Sequence, residues 1–166
     1  YLRYISKVDK FRSFYNRYKN MLFAYLMRTS GDYDLSGDIM QESFTRYLAR
    51  YGKREPSAPL LFKIARNALT DHRRKSKRNT QLCDENEPSG GNPEHHMIVR
   101  DEYRRTLSAM QQLDEVEKDF LSLVVSSDLS YREIAEIHHT SEQNVKVRVH
   151  RARVKLRGIL GGRDQK

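Results

Sequence analysis

The chain of 166 residues contains one cysteine, four prolines and no tryptophan. A solitary Cys83 excludes an internal disulfide and fits a reducing compartment. No stretch approaches the roughly 20 consecutive apolar residues that a bilayer-spanning helix requires, so no membrane insertion is expected. Residues 1–10 lack the apolar run and small-residue cleavage site of a secretory signal, and a cytoplasmic protein is therefore expected. The strict apolar/polar alternation of a half-buried strand is missing, as is any internal repeat. There is no zinc motif, nucleophile elbow or phosphate loop. Cys83, His95 and His96 lie in or beside a stretch poor in order-promoting residues, and His138 and His139 are adjacent rather than at ligand spacing. The expectation is an all-α protein with no metal, no cofactor and no enzymatic chemistry.

Positive charge is abundant. The net charge is +9 and the pI near 9.7, which makes a polyanion the default partner, because neutralising phosphates releases condensed counterions. Its placement is uneven. Residues 1–80 hold 18 Lys/Arg against 7 Asp/Glu, residues 101–140 hold 4 against 9, and residues 141–157 hold 6 against 1. A merely solvated helix rarely sorts its charges so sharply.

Along the chain, Phe11, Phe14, Tyr15, Tyr18, Met21, Leu22, Tyr25 and Leu26 keep the spacing of one helical face for more than four turns. After the turn formers Ser30-Gly31-Asp32, a second helix is expected over 35–51, burying Met40, Phe44, Tyr47, Leu48 and Tyr51 and turning Asp38, Glu42, Thr45 and Arg46 outward. Residues 52–59, with prolines at 56 and 59, are expected to form a loop. A third helix follows over 60–77, with Leu61, Ile64, Ala65, Ala68 and Leu69 inward. Residues 79–94 are rich in turn formers and acids, cannot repay the entropy of ordering, and read as a linker. Helical periodicity resumes at Tyr103, Leu107, Met110 and Leu113 and continues through Phe120, Leu121, Val124, Val125, Tyr131, Ile134 and Ala135. Residues 1–10 then form a leader, 11–78 and 101–160 two small helical domains, 79–100 a flexible linker and 161–166 a tail.

Ser130 to Leu156 carries the most information. Ser130 and Glu133 have the spacing of a capping box, and Ser141 is a second N-cap candidate, giving helix, tight turn, helix. The turn position that glycine usually fills holds His139, which tolerates positive φ only moderately. At 100° per residue Val145, Val149, Ala152 and Leu156 share a narrow arc. The opposite arc carries Gln143, Asn144, Val147, Arg148 and Arg151, flanked by Lys146, His150, Arg153 and Lys155. Such a helix suits the major groove, with amides and guanidinium groups at base edges and flanking cations on phosphates.

The segment SYREIAEIHHTSEQNVKVRVHRARVKLR resembles domain 4 of the extracytoplasmic-function sigma factors, small members of the sigma-70 family. FYNRYKNMLFAYLMRTSGDYD followed by DIMQESFTRYLARY resembles the opening of sigma domain 2, and LLFKIARNALTDHRRKSKR resembles the stretch that closes it. The resemblance covers residues 11–78 and 104–158, in order and separated by a linker. It implies a protein that binds bacterial core RNA polymerase, through the β′ clamp helices and the β flap, and directs promoter recognition, melting and initiation. Asp38, Gln41, Glu42 and Arg46 would form the polymerase-docking face. Lys63, Arg66, Asn67, Asp71, Arg73, Arg74 and Lys77, with Lys75 and Arg78, would capture the −10 element as a single strand, supplying a cationic track and base pockets against lost stacking. Gln143, Asn144, Lys146, Val147, Arg148 and Arg151 would read the −35 element. Val147 replaces the family's serine and leaves apolar contact, such as with a thymine methyl. Two departures stand out: Leu60 replaces the family's tryptophan, and YGKREPSA replaces a loop resembling FRGEASF. The family is commonly inhibited by anti-sigma factors that cover the polymerase-binding faces.

Two other readings compete. A helix-turn-helix regulator with a helical sensing or dimerisation domain would bind duplex DNA without polymerase, and would have no need of the basic helix ending near Arg78. An adaptor would use the acidic 101–140 surface to hold another protein, insensitive to salt.

Overall fold

A computed structural model describes residues 2–52, 54–82 and 101–161, with side chains over 9–52, 54–78 and 102–161. It is helical throughout these residues, with no strand among them: α1 (Leu2–Ser30), α2 (Tyr33–Tyr51), α3 (Ala58–Leu82), α4 (Asp101–Gln111), α5 (Glu115–Ser126), α6 (Tyr131–His138) and α7 (Glu142–Gly161). Cys83, His95, His96 and residues 83–100 of the expected linker lie outside the described residues.

The first three helices pack on one another through the stripes that the sequence spacing marks. Phe14, Leu22, Tyr25 and Leu26 of α1 meet Phe44 and Tyr47 of α2 and Leu61, Phe62, Ala65, Ala68 and Leu69 of α3, all buried. Aromatic rings dominate the α1–α2 contact: Tyr15 meets Phe44 edge-on at 4.7 Å between centroids, and Phe14 lies 5.4 Å from Tyr47. Each such pair adds on the order of 1 kcal/mol beyond its area burial. α1 begins at Leu2, upstream of the stripe that starts at Phe11. It ends where Gly31 takes φ +75° and its amide bonds to the Met27 carbonyl at 2.9 Å. Asp32 then caps α2, its carboxylate accepting from the Leu35 amide at 2.9 Å.

Three local expectations need correction. Leu48 is not buried: it is 49% exposed, half a turn round α2 from Ile39, whose buried face holds the small Ser36 and Ser43. α3 starts at Ala58, so Pro59 falls in its first turn, where a missing amide donor costs nothing. At its other end α3 runs on to Leu82, beyond Lys77.

The last four helices form the second bundle. Met110, Leu113, Phe120, Leu121, Leu123, Ile134, Ile137, Val145, Val149 and Ala152 are buried together, whereas Val125, near the end of α5, is 54% exposed. Ser130 and Glu133 form the full capping box: the Glu133 amide donates to the Ser130 hydroxyl, and the Ser130 amide donates to the Glu133 carboxylate at 2.8 Å. His139 sits in the left-handed region at φ 51°, ψ 48°, with the Thr140 amide bonding back to Ala135 at 2.9 Å. Ser141 accepts from the Asn144 amide at 3.1 Å and starts α7.

The two bundles lie against each other. Their buried apolar residues form one continuous cluster, and α1 packs along α5 and α4 while α3 touches α6.

Candidate nucleic-acid interface

On α7 the apolar arc Val145, Val149 and Ala152 is buried, with Leu156 partly so. The opposite arc is therefore presented outward. Gln143, Lys146, Val147 and Arg151 are exposed, and Asn144 and Arg148 partly exposed. Two of these have fixed directions. Asn144 donates from Nδ2 to the Thr140 hydroxyl at 2.7 Å, and the Arg148 guanidinium lies 5.7 Å from the Phe120 ring centre, a cation–π contact that restrains its long side chain. Lys146 pairs with Glu142 at 3.0 Å on the exposed surface. Lys155 points away from this arc, to the start of α5, where Glu117 and Asp114 receive it at 2.7 and 3.5 Å. These contacts raise its pKa, and the Glu117 amide holds Asp114 below its ordinary value.

The basic helix α3 is divided between two faces. Lys63 and Asn67 line a groove of about 610 Å³ with Leu60 and Ile64, and α2 closes it with Arg46, Ala49, Arg50 and Tyr51. Leu60, at the position of the family's tryptophan, thus forms part of an apolar floor under three cations, Arg46, Arg50 and Lys63. Arg74 and Asp71 extend the exposed side, paired at 3.1 Å. Lys77 reaches Glu115 at 3.5 Å. The other face points inward. Arg73 donates to the Thr29 carbonyl at the end of α1, and Arg66 donates from Nε to Asp119 of α5 at 2.7 Å. Of the cations expected to track a strand, Arg66 and Arg73 are thus engaged within the protein.

Asp38, Gln41 and Glu42 are exposed on one face of α2 with Arg46, which pairs with Glu42 one turn away. Arg46 belongs to this face and to the groove at once, so the two expected surfaces meet at one residue. Phe62 and Tyr47 are core residues, fully buried. The Tyr47 hydroxyl accepts from the Ser57 amide at 2.7 Å and so fixes the entry to α3.

Sequence reasoning missed Asp119. Its carboxylate accepts from the Tyr25 hydroxyl at 2.6 Å and from Arg66, joining α1 and α3 to α5. Burial, then Asp119, push the Tyr25 phenol well above its ordinary range, keeping it a proton donor. His138 stacks on Phe120 at 3.9 Å with Nε2 3.5 Å from Asp119 and no hydrogen bond. Burial, with Arg66, Arg148 and His139 nearby, depresses its pKa to about 4 against the attraction of Asp119, so it is neutral at pH 7. The clue was the charge imbalance: the acidic 101–140 stretch faces, through Asp119, Glu115 and Asp128, cations of the chain's own first half.

Two family models match the chain: "Sigma-70 region 2" over residues 14–79 and "Sigma-70, region 4" over 103–156. It is 30% identical to the ECF RNA polymerase sigma factor EcfG of Rhodopseudomonas palustris (strain TIE-1), with 84% of this chain and 78% of that protein covered. The chain belongs to the sigma-70 family. The ECF RNA polymerase sigma factor SigM of Bacillus subtilis (strain 168) is similar as well, 29% identical over 87% of this sigma factor and 91% of its own length. Among solved structures, the sigma factor RpoE in complex with the anti-sigma factor NepR from Bartonella quintana superimposes with a TM-score of 0.77 at 24% identity, covering 91% of this chain and 96% of that one. CnrH in complex with the cytosolic domain of CnrY follows at 0.66 and 21%, covering 92% and 88%. The fold is shared with both. This chain is an extracytoplasmic-function sigma factor that directs promoter recognition and transcription initiation. The match of its first half to region 2 removes the reading of that half as a sensing or dimerisation domain. No described helix is long and apolar enough to cross a membrane.

Proposed function

We propose that the promoter is held by two separate surfaces of one sigma factor, 11–78 acting on the −10 element and 101–160 on the −35 element. α7 enters the major groove of the −35 element, with Gln143, Asn144, Lys146, Val147, Arg148 and Arg151 at base edges and phosphates. The observation that carries this reading is the division of α7 into a buried apolar arc and an outward arc of amides and guanidinium groups. The groove between α2 and α3 receives the opened −10 strand. Its apolar floor suits a base, Lys63 and Asn67 stand at its wall, and Asp71, Arg74 and Lys77 continue along the exposed side of α3, whereas Arg66 and Arg73 hold Asp119 and the Thr29 carbonyl. Asp38, Gln41, Glu42 and Arg46 dock on the β′ clamp helices of bacterial core RNA polymerase, and the second domain on the β flap. The protein works in the cytoplasm, where polymerase is, and contributes binding rather than catalysis. Control by an anti-sigma factor is supported by the structural neighbour RpoE, which was solved with the anti-sigma factor NepR.

Reconstitution with bacterial core polymerase tests the proposal. The expected result is a holoenzyme that transcribes a specific subset of genomic fragments and loses that selectivity with Arg151→Ala. A chain that does not bind core polymerase contradicts it.

A further inference from the structure

The outward arc of α7 divides by what its side chains already hold. Asn144, Lys146 and Arg148 are engaged, by the Thr140 hydroxyl, Glu142 and the Phe120 ring. Gln143, Val147 and Arg151 are exposed, and their side chains make no hydrogen bond, ion pair or ring contact among the described residues. Each stands four residues from the next, so the three form one ridge along the helix, with successive Cβ atoms about 5–6 Å apart. The ridge runs amide, hydrocarbon, guanidinium. Val147 is 38% exposed and lies outside the apolar core, which the opposite side of α7 already supplies with Val145, Val149 and Ala152. Packing therefore gives no account of an apolar side chain in the middle of this ridge.

A base edge in the major groove offers such a side chain one apolar group, the methyl at C5 of a pyrimidine, whereas arginine takes O6 and N7 of guanine with two donors. Thymine carries that methyl, and 5-methylcytosine carries it on the same carbon; deoxyuridine and cytosine carry hydrogen there. Stacked base pairs are about 3.4 Å apart, so the ridge spacing and the reach of arginine set Val147 and Arg151 over adjacent pairs. Val154 is also exposed, but it lies seven residues further along α7, and helices of this kind meet bases through their N-terminal residues. We propose that Val147 reads the C5 methyl of the pyrimidine in the pair beside the guanine held by Arg151, so that methylation of a cytosine at that −35 position strengthens the promoter. This deepens, and rests on, the seating of α7 in the −35 major groove. The ligand is duplex DNA carrying 5-methylcytosine, and initiation is thereby coupled to the methylation state of the template.

The test uses holoenzyme and a promoter fragment that it selects, synthesised with each −35 thymine replaced singly by deoxyuridine and each −35 cytosine singly by 5-methylcytosine. Competition against a fluorescent parent fragment measures affinity. One pyrimidine is expected at which the methyl brings about fourfold tighter binding, the effect of a single methyl group removed from water. At that position 5-methylcytosine should exceed cytosine by the same factor as thymine exceeds deoxyuridine. Val147→Ala should abolish the preference and Val147→Ile retain it. Replacing the neighbouring guanine by 7-deazaguanine should weaken the wild type and leave Arg151→Ala unaffected. Both side chains are exposed, so these variants leave the core intact, and circular dichroism checks that they fold. If no −35 pyrimidine responds to its methyl while Arg151→Ala still loses −35 protection, the methyl reading is overturned and α7 keeps its place. A preference that survives Val147→Ala, or a responding pyrimidine with no Arg151-dependent guanine beside it, overturns the reading equally. Normal −35 protection by Arg151→Ala overturns the seating of α7 and this inference with it.

Discussion

Helices α3 and α7 are both basic, yet they are basic in different ways. On the outward arc of α7, Lys146 pairs with Glu142 one turn away and Arg148 lies on an aromatic face that restrains it without neutralising it. On α3 they are split, with Lys63 and Arg74 outward and Arg66 and Arg73 turned into the protein. A helix that reads duplex DNA needs one rigid, prearranged face. A helix that holds an opened strand acts only after melting, and its cations can serve an internal contact beforehand.

The platform beneath α7 offers the largest test of this contrast. Phe120 is buried, stacks on His138 and lies under Arg148. Phe120→Ala should therefore destabilise the second bundle by about 3–5 kcal/mol, and should also free Arg148. Urea denaturation followed by circular dichroism measures the first effect. Next comes Arg148→Ala, which should cost about 1–3 kcal/mol in holoenzyme binding if the guanidinium holds a base edge, with that loss confined to one base pair. A uniform loss over all promoter variants would assign it to phosphate.

Acidification should act through His138 of α6. The His138 pKa is about 4 in the folded chain against 6.5 ordinarily, so between these values the unfolded chain binds the extra proton. This contribution to stability is complete above pH 6.5, falls as pH is lowered towards 4 and levels off below it. His138→Gln should flatten that slope, as denaturation midpoints measured across the window would show. The smallest effect is expected at His139, whose left-handed backbone suits glycine. His139→Gly should stabilise by about 0.5–1 kcal/mol, visible as a small rise in Tm with no change in promoter preference.

Where one periodicity dominates, the sequence is readable. The α1 stripe, the Ser130 capping box, the Ser141 cap and the α7 arc follow from local spacing, and the structure has each of them. Legibility fails where the deciding partner is distant in sequence. Leu48 follows the core residue Tyr47, but the packed face of α2 runs through Ile39, half a turn away, and leaves Leu48 outside. Val125 is adjacent to the face that packs on the core, yet points out. Asp119 belongs to an acidic stretch whose partners, Tyr25 and Arg66, stand 94 and 53 residues away. Local pattern predicts which groups are charged, but only packing decides which charges meet.

Permanganate reactivity of promoter thymines, read beside DNase protection of the −35 region, separates the roles of the two helices. Holoenzyme with Lys63→Ala and Asn67→Ala should protect the −35 region as the wild type does and leave the −10 thymines unreactive, whereas Arg151→Ala should lose the protection itself. Wild-type melting by the Lys63, Asn67 variant would contradict the assignment of the opened strand to the groove between α2 and α3.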